Sequence, residues 1–99
     1  MKESTLSKDF IKWLNGLPKT YAEKRLAGPG RKGRVDITGC SHGFRIEVES
    51  KIGNNEPTDL QDYWLNKWRR TGAITFWGNN LEEMKTEFKN QMLLKGVFI

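Results

Sequence analysis

Residues 33–51 read GRVDITGCSHGFRIEVESK, and the fold turns on how that stretch divides. From Phe44 to Lys51, apolar and polar side chains alternate. Phe44, Ile46 and Val48 fall on one face, and Arg45, Glu47, Glu49 and Lys51 on the other. A period of two marks a half-buried strand. Upstream, Val35 and Ile37 alternate with Asp36 and Thr38. Between the runs, Gly39, Cys40, Ser41, His42 and Gly43 supply turn chemistry. The expected structure is an antiparallel hairpin. With Gly39 opposite Phe44, Asp36 falls across from Glu47 and diagonal to Glu49. Opposite side chains lie ~5 Å apart at Cβ and diagonal ones ~7–8 Å.

Asp36 and the triplet Glu49-Ser50-Lys51 carry the chemistry. An Asp followed at this distance by Glu-x-Lys at a strand end suits a divalent metal held against a phosphodiester. Two carboxylates supply hard oxygen ligands for Mg²⁺ or Mn²⁺. An ammonium two residues on is placed to orient or polarise the attacking water. Glu47 shares the face and is a further candidate ligand. Three carboxylates on one patch repel one another unless a cation or Lys51 compensates. Two other readings stand beside this one. Glu47, Glu49 and Lys51 are also what the solvated face of an edge strand looks like. A second frame puts Glu47-Val48-Glu49 in the Glu-x-Lys slot, but it lacks the lysine, so Glu49-Ser50-Lys51 is preferred.

A chain of 99 residues is one domain, spanning 1–99, with room for a single modest core. Its 36% hydrophobic content and 11% aromatics indicate a folded protein, and the four tryptophans are expected to carry much of the core. The formal net charge of +5 suits a polyanionic partner. One cysteine, Cys40, forbids an internal disulfide and fits a reducing, cytoplasmic compartment. With a single histidine, His42, it does not make a zinc site. Cys40 and His42 are neighbours in a turn, which argues against a nucleophile–base pair. The opening residues MKESTLSKDF show no secretory signal, and no run approaches membrane-spanning length.

Leu6, Phe10, Trp13, Leu14 and Leu17 recur at helical spacing, and Gly16 and Pro18 end that helix. Tyr21 to Ala27 reads as a short strand carrying Lys24 and Arg25. Residues 28–33, GPGRKG, form a basic glycine-rich loop without the spacing of a nucleotide-phosphate loop. Pro57 and Thr58 open a second helix with Leu60, Trp64, Leu65 and Trp68 as its apolar stripe, and Gly72 closes it. Ala73 to Trp77 is a strand. Asn79 or Asn80 caps a last helix with Leu81, Met84, Phe88 and Met92 inward, and Glu83 stands where a capping-box acid would. Gly96-Val97-Phe98-Ile99 is a short strand or a contact surface. This order describes an α/β fold: a small mixed β-sheet with a central hairpin, flanked by helices.

Four segments together resemble the VRR-NUC family: Gly33-x-x-Asp36-Ile37-x-Gly39, Ile46-Glu47-Val48-Glu49-Ser50-Lys51, Pro57-Thr58-x-Leu60-Gln61 and Gly72-Ala73. That family is a branch of the PD-(D/E)XK nuclease superfamily, often found as small stand-alone proteins of phages and prophages. The resemblance runs from Lys24 to about Glu83. It implies a restriction-endonuclease-like core and a Mg²⁺- or Mn²⁺-dependent nuclease. Asp36 and Glu49 would be metal ligands, with the backbone carbonyl of Ser50 as a third. Lys51 would position the water, and Gln61 would lie on the helix beside the site. Glu3 matches a glutamate that members often carry at the start of the first helix. Two departures stand out. Val35 replaces the proline before the aspartate, and the segment 52–56 has no basic residue.

Gln61 also has a structural reading, since Thr58-x-x-Gln61 is a capping box. Trp64, Trp68, Phe88 and Met92 read as core rather than as base-stacking platforms. Lys24, Arg25, Arg31, Lys32 and Arg34 cluster just before Asp36 and are the expected phosphate contacts. The expected activity is endonucleolytic cleavage of DNA, with branched or Holliday-type junctions fitting better than a defined sequence. The partner is DNA, and a homodimer would place two sites on a two-fold substrate. The alternatives are a non-catalytic nucleic-acid-binding module of the same fold, and a protein–protein adaptor using the tail and the tryptophans.

Overall fold

The structure is a computed structural model that describes residues 2–26, 30 and 32–99. Its elements are α1 (Glu3–Asn15), β1 (Thr20–Lys24), β2 (Ile37–Ser41), β3 (Phe44–Ser50), α2 (Asp59–Arg69), β4 (Ile74–Gly78) and α3 (Leu81–Leu94). The four strands lie in the order β1-β2-β3-β4. The first two pairings are antiparallel, and β3 pairs with β4 in parallel across the α2 crossover. This is the mixed, helix-flanked α/β sheet that the sequence predicts.

The two faces of the sheet differ in kind. On one, Ala22, Ile37, Ile46, Val48, Ile74 and Phe76 meet Leu6, Phe10 and Leu14 of α1 and Met84, Phe88 and Met92 of α3 in one apolar core. On the other, Thr38, Glu47 and Thr75 form a polar row, since Thr38 pairs with Glu47 and Glu47 with Thr75. Helix α2 covers this row: Arg69 Nε donates to Thr75 Oγ1 at 3.1 Å, and the Arg45 guanidinium lies 4.1 Å from the centre of the Trp68 ring. The solvated edge-strand reading therefore does not hold. β3 is interior, Glu47 is 0% exposed and Glu49 2%.

The hairpin is tighter than expected. Ser41 pairs with Phe44, so only His42 and Gly43 remain in the turn. Both have positive φ, +52° and +85°. Two positive-φ residues make a turn whose twist matches that of the strands. It also recruits Cys40 and Ser41 into the ladder. The register thus slides by two from the expected one, which preserves the faces. Ile37 sits opposite Val48, and the next pair along brings Asp36 opposite Glu49 rather than Glu47.

At one residue on each edge of the sheet, a side-chain carboxamide stands in for a neighbouring strand. Asn15 Nδ2 donates to the Ala22 carbonyl at 3.0 Å, and the Ala22 N–H donates to Asn15 Oδ1 at 2.8 Å. Gln91 does the same for Thr75, at 2.9 and 3.2 Å. Each amide offers a donor and an acceptor as a further strand would, which blunts edge-to-edge pairing.

The tryptophans are not the core. Phe10, Phe88, Leu6 and Leu14 are its largest buried side chains with the sheet aliphatics. Trp13 packs at its margin, while Trp64 and Trp68 on α2 lie outside it. Thr58 and Gln61 form the expected capping box of α2; at α3 Asn80 Oδ1 accepts from the Glu83 N–H, but the Glu83 side chain does not complete a box. The tail forms no strand. The Val97 N–H donates to the Met92 carbonyl, and Val97 packs against the core, leaving Phe98 86% exposed. Among the described residues no helix is long and apolar enough to cross a membrane.

Candidate metal centre and nucleic-acid interface

The acidic cluster forms where β2 begins and β3 ends, beside the first turn of α1. Glu3, Asp36 and Glu49 each direct a carboxylate oxygen there, and these oxygens lie within 4.8 Å of one another. Ser7, one helical turn after Glu3 and fully buried, approaches Asp36 Oδ2 with its hydroxyl at 2.6 Å. Ser7 Oγ also lies 3.0 Å from Ser50 Oγ and 3.1 Å from the Glu3 carbonyl. A hydroxyl carries one hydrogen, and the short contact to the carboxylate is where a charge-assisted bond holds it best. The Ser50 N–H donates to Asp36 Oδ1 at 3.2 Å. The aspartate is thus held from both sides.

Glu49 is tied to the same network. Its Oε1 accepts from the Asp36 N–H at 2.9 Å, and its Oε2 lies 3.4 Å from Lys51 Nζ. Burial, and next the Asp36 charge, push its pKa from 4.5 up to about 7, against the lowering effect of the Asp36 N–H and Lys51. A carboxyl poised near neutrality among other carboxylates favours either a proton or a cation.

Glu47, also read from the sequence as a possible ligand, stands outside this cluster. Its carboxylate takes two bonds from Arg25 Nη2, at 2.8 and 3.0 Å, and one from Arg45 Nε at 3.1 Å. The Thr38 hydroxyl donates to it as well. Its oxygens are occupied and its charge is neutralised within the protein.

The basic residues separate in the same way. The Arg25 side chain, 10% exposed, is spent on Glu47 and on the Val35 carbonyl, and its N–H donates to the Asp36 carbonyl. It braces the backbone on both sides of Asp36 rather than facing solvent, contrary to its expected place among the phosphate contacts. The Arg34 guanidinium stacks 3.4 Å from the centre of the Trp64 ring. Lys24 and Lys32 are exposed. Arg31 lies outside the described residues. Gly33 joins this segment to α2: at φ +76°, a Cβ there would stand 2.1 Å from Leu60 Cγ, so only glycine lets the loop approach. Gln61 serves the cap, its Oε1 accepting from the Thr58 N–H at 3.0 Å.

Ser7 is the residue the sequence reading missed. The signal was weak but present: Glu3 and Ser7 are four apart on a helix and so share a face. Nothing in the spacing says that this face meets Asp36.

No protein-family model matches the sequence, and no curated protein matches it. A solved structure described as "VRR_NUC domain" does resemble this fold. It superposes with a TM-score of 0.70 at 23% identity, covering 85% of this chain and 90% of that one. The likeness shows that this chain has the fold of that domain.

Proposed function

We propose that the protein is a divalent-metal-dependent endonuclease of the VRR-NUC type that hydrolyses phosphodiester bonds in DNA. The observation that carries the reading is the convergence of Glu3, Asp36 and Glu49 beside Lys51, on a sheet with the VRR_NUC fold. An all-oxygen, carboxylate-rich set fits Mg²⁺ or Mn²⁺. Asp36, Glu49 and the Ser50 carbonyl would hold the ion, and Glu3 adds a further carboxylate. Such an ion supplies Lewis acidity toward a phosphoryl oxygen and lowers the pKa of water.

The protein's own groups do the rest. Ser7 and the Ser50 N–H fix the rotamer of Asp36. Lys51 orients the attacking water for in-line displacement at phosphorus and helps offset the carboxylate charge. Gln61, in the first turn of α2, is the further side chain that this reading assigns to the site. Lys24 and Lys32, with Arg31 and Arg34, take the phosphates that flank the cut.

Branched DNA of the Holliday type is the substrate class that this reading assigns. A two-fold dimer would bring two sites to such a junction. The exposed Phe98 and Ile99 are the material for its interface. An exposed, unpaired Cys40 fits a cytoplasmic location.

The test is cleavage of branched and linear DNA with and without Mn²⁺. Metal-dependent cutting that Asp36→Ala abolishes supports the reading. Cutting by Asp36→Ala at the wild-type rate overturns it. Tight DNA binding without cleavage in any divalent metal would instead favour the non-catalytic module.

A further inference from the structure

We propose that Trp77 is the stacking platform for the nucleobase beside the scissile phosphate, so that the site takes a DNA strand whose bases are unpaired there. This rests on the nuclease reading and deepens it by naming a feature of the substrate.

Trp77 is placed by the sheet register. It pairs with Glu49 across the parallel β3–β4 ladder. Neighbouring strands lie ~4.8 Å apart, and paired residues project on the same face. Trp77 alternates with the core-facing Ile74 and Phe76, so it shares the Glu49 face. Asp36, just ahead of β2, Glu49 on β3 and Trp77 on β4 therefore follow one another across the sheet, with the candidate metal ligands at one end and an indole at the other.

That indole is partly open. Trp77 is 38% exposed. The other tryptophans are all engaged: Trp13 stacks on Phe10 and meets Phe88 edge-on, Trp64 lies under Arg34, and Trp68 lies under Arg45. Among the described residues, no ring or cation sits on Trp77. A lone exposed aromatic is ordinary on a protein surface. This one is set apart by its register with a candidate metal ligand.

The surroundings select a base over a phosphate. Trp77 lines an open groove of about 570 Å³ with Thr75, Asn79, Glu83 and Glu87. The groove's cation, Arg69, is bonded to Asn66 and Thr75. Two glutamates repel a phosphate backbone, whereas a neutral base is admitted. In a duplex the base faces are covered by their neighbours, so only an unpaired or splayed base can present one.

The experiment uses a fluorescein-labelled single-stranded oligothymidylate with Ca²⁺, and the same strand in Mn²⁺ with one abasic position moved along it. Base–aromatic stacking predicts that Trp77→Ala weakens binding by about 5- to 150-fold, while Trp77→Phe retains most of it. Binding should quench tryptophan fluorescence in the wild type, and Trp77→Phe should lose that quench. In the wild type, an abasic position at one fixed offset from each cut should suppress that cut, a result that needs no variant to fold. Wild-type cleavage indifferent to the abasic position, with the quench intact in Trp77→Phe, overturns the platform and leaves the nuclease reading standing. Quenching that depends on Trp77, without cleavage of this strand or of branched DNA in Mn²⁺, supports the platform while it counts against the nuclease.

Discussion

Without metal, Glu49 should make the protein lose stability as the pH rises toward neutrality. Its pKa in the folded protein is about 7, against an ordinary value of 4.5. The folded state therefore holds this proton more tightly than the unfolded state does. The stabilisation is fully present below about pH 4.5 and is lost as the pH climbs through about 7. At ~1.4 kcal/mol per pH unit, the gap is worth about 3 kcal/mol. That is a large share of the ~5–15 kcal/mol that holds a typical domain together.

Urea unfolding, followed by tryptophan fluorescence in EDTA between pH 4.5 and 8, measures the effect. Other groups titrate in the same range, so the quantity to read is the difference between the wild type and Glu49→Gln. The amide can still accept from the Asp36 N–H, but it has no proton to lose. Relative to this variant, the wild type should fall by about 3 kcal/mol across the range, with the steepest loss between pH 5 and 7. Mn²⁺ added at pH 8 should restore wild-type stability and do less for the variant, since the ion binds the ionised carboxylate of the folded state. Below about pH 7 the apparent Mn²⁺ affinity should drop up to tenfold per pH unit, because a proton must first leave Glu49. Parallel pH curves for the two proteins would refute the reasoning, since Glu49 would then titrate alike in both states.

Asp36→Ala and Lys51→Ala should each abolish metal-dependent cleavage of branched DNA yet keep the wild-type circular dichroism spectrum, because neither side chain belongs to the apolar core. Arg25→Ala should destabilise by about 3 kcal/mol, toward the low end for breaking a buried pair because Arg45 remains on Glu47; unfolding midpoints check this, and a loss below ~1 kcal/mol would mean Arg25 does not neutralise Glu47. Lys32→Ala should weaken DNA affinity for every sequence and flatten its salt dependence by about one unit of slope, measured by anisotropy titrations at several salt concentrations. Deleting Phe98 and Ile99 while keeping the core-packed Val97 should turn a dimer into a monomer by light scattering, and a full-length protein that stays monomeric on junction DNA would exclude that interface.

Much of the fold was legible because its signals are local. The alternation of Phe44–Lys51 gave β3, and the stripes Leu6–Phe10–Leu14 and Met84–Phe88–Met92 gave the helices that cover one face. Thr58 and Asn80 announced their caps. The register was not legible. Five consecutive turn-forming residues admit several turns, and a histidine at positive φ is not an obvious choice for the tightest of them. The tryptophans misled for a related reason. Indole area suggests burial, but Arg34 and Arg45 stack on Trp64 and Trp68, and the smaller Phe, Leu and Met side chains fill the core.

The harder distinction lies between Glu47 and Glu49. They are two apart on one strand, face the same way, and are both buried. Alternation treats them alike, and so does spacing. What separates them is compensation. Glu47 meets two arginines and a hydroxyl, all from β1–β3 or their flanks, and its charge is spent inside the fold. Glu49 meets Asp36 and Glu3, with Lys51 as the cation paired to it among the described residues. A carboxylate whose charge is matched by its neighbours holds the sheet together. One crowded by others is poised for a cation from outside. That difference arises only once a two-residue turn sets Asp36 opposite Glu49 and α1 swings Glu3 and Ser7 over the strand ends, so the site is a property of the register as much as of the residues.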